Sequence, residues 1–143
     1  MNTTVTFEIA KLLKEKGFDK QATCFYAKKG SKVFGIDEHG RYYPIKHLYK
    51  TLFVCGNAAV LNENNAYLAP TIAETVMWLH EKHDIWIHVC YMTDDKIWWW
   101  DCYKYKKENG LLNHPAHCKD FNLQSPTEAY QSAIEYCLKE IIK

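Results

Sequence analysis

Arginine is nearly missing from this chain: of 18 Lys and Arg residues, only Arg41 is an arginine. The planar guanidinium fork reads phosphate and guanine bidentately, so its scarcity argues against nucleic acid as the main partner. Charge of one sign is also absent. Eighteen basic residues face 17 acidic ones, for a formal net charge of +1, which excludes a polybasic coat or a basic membrane anchor. Glycine is sparse, and the six present form neither GxGxxG nor a P-loop, so no dinucleotide or Walker-type phosphate cradle is expected. No stretch approaches the roughly 18 apolar residues that span a bilayer. The first 16 residues lack the apolar core and small-residue cleavage site of a secretory signal, and read as an amphipathic helix. The expected location is therefore cytoplasmic. There the six dispersed cysteines (Cys24, Cys55, Cys90, Cys102, Cys118 and Cys137), none in a CxxC pair, read as reduced structural thiols.

What is present is a hydrophobic fraction of 48% in 143 residues, enough for one domain with a proper core and too much for disorder. Aromatic residues reach 15%, with five Trp and ten Tyr. Thr6 predicts the start of a helix over residues 7–16, with Ile9, Leu12 and Leu13 as its stripe and Gly17 as its stop. Residues 23–28, 32–37 and 41–45 then read as a β-meander whose third strand, holding Pro44, lies at an edge. Residues 47–61 are apolar without a clean period. Thr71 and Glu74 form a capping-box pattern for a second helix running to about His83, with Ile72, Val76 and Leu79 on one face. Two strands follow, 85–92 and 97–105, and residues 106–123 read as a polar loop around Gly110 and Pro115. Ser125-Pro126-Thr127-Glu128 opens the clearest helix. The fold class is a single α+β domain spanning residues 1–143. Its antiparallel sheet, a meander plus a Trp-rich hairpin, carries about three helices packed on one face.

The hairpin holds the sharpest pattern. A symmetric turn about Asp94-Asp95, of two or four residues, pairs Met92 with Ile97, Cys90 with Trp99, His88 with Asp101 and Trp86 with Tyr103. Strand alternation puts these eight on one face and Ile87, Val89, Tyr91, Trp98, Trp100 and Cys102 on the other. The second set is the more apolar and should lie on the helices. The first presents Trp86, Trp99 and Tyr103 around a His88–Asp101 pair, in which the carboxylate favours the imidazolium and fixes its ring. Such a face suits a planar ligand, a partner chain, or simply further core.

Other constellations are weaker. His80-Glu81-Lys82-His83 is one residue short of the zinc-protease spacing and reads as helix-end histidines near the dipole. His114, His117 and Cys118 offer three metal-type ligands in five residues, with Cys102 the nearest fourth; no metal is assigned to them. Cys90, His88 and Asp101 form a nucleophilic set on paper, yet same-face neighbours on one strand stand about 7 Å apart, which forbids direct contact in a straight strand. No catalytic residue and no cofactor is expected.

Three blocks resemble small uncharacterised proteins of bacteriophages and gut-bacterial genomes. They are residues 8–18 (EIAKLLKEKGF), Ala69-Pro70-Thr71 with Trp78-Leu79-His80-Glu81-Lys82-His83 running into the next strand, and the closing helix 128–139. The resemblance covers roughly half the chain and implies context: a phage-type accessory protein in a bacterial cytoplasm. The combined expectation is a homo-oligomeric, non-enzymatic binding protein. Its nucleotide-like signalling ligand, a messenger of host defence, would contact Trp86, His88, Trp99, Asp101, Tyr103, Lys104 and Arg41. The rival is a protein–protein module using the same face against a host protein or a second copy. Lys104, Lys106 and Lys107 are the candidate phosphate contacts.

Overall fold

The first turn of a helix leaves its backbone N–H groups unpaired, and Thr6, Thr71 and Ser125 each place a side-chain oxygen to accept one of them. The computed structural model describes residues 4–22, 24–27, 33–36, 39, 41–45, 52–54, 66–106, 111–117 and 122–143. Its elements are α and β in one chain, with three helices and small antiparallel sheets, an α+β fold. Their contacts gather into two compact units, Thr4–Pro70 and Thr71–Lys143.

In the first unit, Thr6 Oγ1 accepts the Ile9 N–H at 3.4 Å and starts helix α1, Phe7–Glu15. Gly17, at φ +78°, ends it in the left-handed conformation that glycine adopts without a Cβ clash, and Phe18 N–H closes onto Leu13 C=O at 2.9 Å. Strands β1 (Cys24–Ala27), β2 (Val33–Ile36), β3 (Tyr42–Ile45), β4 (Leu52–Val54) and β5 (Ala66–Leu68) follow. Only part of the meander forms: β2 pairs with β3, but β1 lies between β4 and β5. Phe25 and Tyr26 point to opposite faces and both are buried, so β1 is covered on both faces, and its two edges pair with β4 and β5. Those partners lie outside the short-range pattern: β4 falls within the stretch that shows no clean period. Pro44 stands opposite Phe34 in the two-stranded β2–β3 ribbon, where a missing N–H is tolerated. Phe7 packs edge-on to both Tyr26 and Tyr67, and the buried Tyr26 hydroxyl donates to Val5 C=O at 3.0 Å.

In the second unit, Thr71 Oγ1 accepts the Glu74 N–H at 3.1 Å while the Glu74 carboxylate accepts the Thr71 N–H at 2.7 Å, the reciprocal box that starts α2, Ile72–His83. Its most buried residues are Thr75, Trp78 and Leu79, so of the expected Ile72, Val76, Leu79 stripe only Leu79 reaches the core. Asp84, at φ 56°, reverses the chain into β6 (Ile85–Met92), which pairs antiparallel with β7 (Ile97–Lys106). The expected polar loop after β7 is instead largely a third strand, β8 (Leu111–His117), on the far side of β7. Cys102 pairs with Ala116 and Lys104 with Asn113, so Tyr103 faces both His114 and Pro115. A bulge of this kind drops one position from the ladder, which is where a proline's missing N–H costs least. Helix α3, Pro126–Tyr136, starts on Ser125 Oγ, which accepts the Glu128 N–H at 3.1 Å, and runs on into a π-helical turn, Cys137–Ile141.

α3 covers the Trp100–Cys102 face of the sheet. Trp100 Nε1 donates to Ser132 Oγ at 3.0 Å and its ring lies 5.4 Å from that of Tyr136. Ile85, Cys102, Ala129, Ala133, Ile134, Cys137 and Leu138 are fully buried. The hydrogen bond with Cys102, and then burial, push the Cys137 thiol far up, so it stays protonated. No helix among the described residues is long and apolar enough to cross a membrane.

Candidate functional site

The β6–β7 turn occupies Thr93–Lys96, with Lys96 left-handed at φ 54°. Four loop residues preserve the symmetric pairing about Asp94-Asp95. Met92 faces Ile97, Cys90 faces Trp99, His88 faces Asp101 and Trp86 faces Tyr103, as alternation predicts. Trp86, His88, Trp99, Asp101 and Tyr103 therefore share the sheet face opposite α3.

That face is graded in exposure. β6 is the outer strand, and its Trp86 is 49% exposed while the His88 side chain is 60% exposed. β7 is the central strand, and its Trp99 and Tyr103 are half-buried. The Asp101 side chain keeps only 9% of its surface. A carboxylate this buried is costly unless compensated, and His88 Nδ1 stands 3.9 Å from Asp101 Oδ2, an ion-pair distance when the ring is protonated. The backbone register also sets His117 of β8 opposite Asp101. Trp99 meets His88 edge-on at 6.4 Å between ring centroids.

Two contacts run against the reading of the sequence. Cys90 Sγ lies 3.2 Å from His88 Nε2 and 3.5 Å from Nδ1, so the spacing that forbids contact along a straight backbone does not forbid it between side chains. Strand side chains lean along the strand, and here the thiol and ring lean toward each other. The near-equal distances put the sulfur over the ring's N–C–N edge. His80, set aside as a helix-end histidine, lies against Trp86 with ring centroids 3.6 Å apart. Its position on the last turn of α2, one left-handed residue before β6, carries that ring to the indole.

Lys104, also expected at the site, does not share this face. Lys104 pairs with Ile85 on the face that α3 covers, so it is not a neighbour of Trp86 on the site face; the same alternation that groups the other five excludes it. Arg41 is an exposed residue of the Thr4–Pro70 unit, just before β3. Lys107 and Cys118 fall outside the described residues, and His114 and His117 enter as backbone positions of β8.

A second feature was not anticipated. Ile72, Val76 and Met77 of α2 and Pro126, Thr127 and Tyr130 of α3 line an open apolar groove of about 630 Å³. Comparisons with protein-family models, with curated proteins and with solved structures found no match.

Proposed function

We propose that the chain is a non-enzymatic interaction protein that works through the β6–β7 face opposite α3. One observation carries this reading: Trp86, a large aromatic ring, is half exposed yet backed by His80, so it is presented to solvent rather than folded away. Exposed aromatic residues on a broad surface are typical anchors of protein interfaces, and Met92 extends the exposed apolar area along the same strand. Small-molecule sites are usually concave, and this face is one side of a three-stranded sheet. The first partner to consider is a second copy of the chain, which would make a self-complementary homo-oligomer. A host protein is the other partner of the same class. The phage-type setting rests on the sequence resemblance alone.

A planar, nucleotide-like ligand is the second reading. It is favoured by the same Trp86 platform, on which a base can stack, and by the Asp101 carboxylate, which can accept a hydrogen bond from a base N–H. With Lys104 on the other face, such a ligand would be held by its base rather than by its phosphates.

Light-scattering mass across a concentration series separates the two. A dimer or larger species that Trp86→Ala converts to monomer supports the interface. A monomer at every concentration sinks self-association. Calorimetric titration of cyclic nucleotides and ADP-ribose derivatives then tests the ligand. Binding should weaken roughly tenfold or more in Trp86→Ala, and silence across the panel would end that reading.

A further inference from the structure

Cys90 is half-buried and close to a base, unlike the buried Cys24, Cys102 and Cys137. The groups around it are those of an activated nucleophile: the thiol stands 3.2 Å from His88 Nε2 and 3.5 Å from Nδ1, and the Asp101 carboxylate 3.9 Å from Nδ1. At 3.9 Å the carboxylate is beyond hydrogen-bond reach of Nδ1, yet its charge favours a ring hydrogen on that side, which would leave Nε2, the nitrogen nearer the sulfur, as the proton acceptor. The sulfur stands over the ring edge, and a small swing of the thiol aligns it with Nε2; contacts of this kind commonly tighten only on reaction.

We propose that Cys90 is a thiol-modification site that exchanges with low-molecular-weight disulfides, with His88 as its proton acceptor and Asp101 as the residue that positions His88. The Cys90 thiol passes its proton to His88 Nε2. The thiolate attacks one sulfur of the small disulfide, a Cys90–S–S–R bond forms, and the original S–S bond breaks. The electron pair of the old S–S bond leaves with the departing thiolate, which recovers the proton from His88 and goes as a free thiol; the small disulfide is the oxidant, its departing sulfur reduced by one unit as the Cys90 sulfur is oxidised by one. The added group would sit on β6 between His88 and Met92, on the aromatic face itself, whatever that face binds.

The test treats the full reduced chain with oxidised glutathione at pH 7 and follows each cysteine by peptide mass. Cys90 should gain one glutathionyl group at least about tenfold faster than Cys24, Cys102 or Cys137, and faster than free glutathione exchanges under the same conditions. His88→Gln, at an exposed side chain, should slow Cys90 by about tenfold with circular dichroism unchanged. Asp101→Asn should slow Cys90 as well. General loosening of this unit would instead speed its own buried cysteines, so the ratio of Cys90 to Cys102 labelling separates positioning from structural damage. A Cys90 rate no higher than that of free glutathione, or one unchanged in folded His88→Gln, would overturn the proposal.

Discussion

Trp99 and Trp100 are adjacent on β7, and the pleat sends them to surroundings of opposite kind. Trp100 turns toward α3, is nearly fully buried, and finds a partner for its indole N–H in Ser132. Trp99 turns to the other side and stays half-buried, edge-on to His88. A buried indole N–H left without an acceptor costs on the order of 1 kcal/mol, so Ser132→Ala should lower unfolding stability by about that amount. Urea titration followed by tryptophan fluorescence checks this, and an unchanged midpoint would show that Ser132 contributes nothing there. This division between faces was legible in the sequence, because strand alternation is a strict geometric rule and needs only the turn centre at Asp94-Asp95. The Cys90–His88 contact was not legible: backbone spacing says nothing of the direction in which two side chains lean. His80 was hidden for a related reason, since its neighbour Trp86 belongs to the next element, across a chain reversal at Asp84.

Helices were readable here because their start signals are local. Thr71 with Glu74, and Ser125 with Glu128, are complete within four residues, and both caps form. Thr71→Ala removes an acceptor from the first turn of α2 and breaks the reciprocal box, at a cost of about 1 kcal/mol. The thermal midpoint of the variant measures that loss, and a Thr71→Ser control should retain most of the stability. Strand partners carry no such local signal. β1 reads like the start of a meander, yet its two edges take β4 and β5, both from later in the chain. β8 is the sharper case. Gly110 and Pro115 are loop formers by propensity, and what makes residues 111–117 a strand is the unpaired edge that β7 offers. The bulge opposite Tyr103 lets the ladder pass Pro115 without needing its N–H. With β8 in place β7 becomes central, which is why Asp101 is buried while its partner His88 on the outer strand is exposed.

For the whole chain, the two compact units carry separate alkaline liabilities. In Thr4–Pro70, burial raises the Tyr26 hydroxyl above its ordinary value of 10.0. In Thr71–Lys143, the Cys102 hydrogen bond and burial raise the Cys137 thiol above its ordinary 9.0. Both groups are acids held in the neutral form, so each binds its proton more tightly in the folded state. The stability they contribute is fully present below the unfolded values. It falls as pH rises past about 9 for Cys137 and past about 10 for Tyr26, because the unfolded chain ionises there while the folded chain does not. All five tryptophans, Trp78, Trp86, Trp98, Trp99 and Trp100, lie in the second unit. Their fluorescence therefore reports on that unit alone, while circular dichroism reports on both. Cys137→Ala lowers stability at every pH by opening space in the core. It should also flatten the fall in the fluorescence-detected urea midpoint between pH 8 and pH 10. Tyr26→Phe should flatten the fall detected by circular dichroism above pH 10. Equal slopes for wild type and Cys137→Ala would mean that the thiol ionises as easily in the folded unit as in the unfolded chain. The buried contact with Cys102 would then add nothing to how the closing π-helical turn is held against β7.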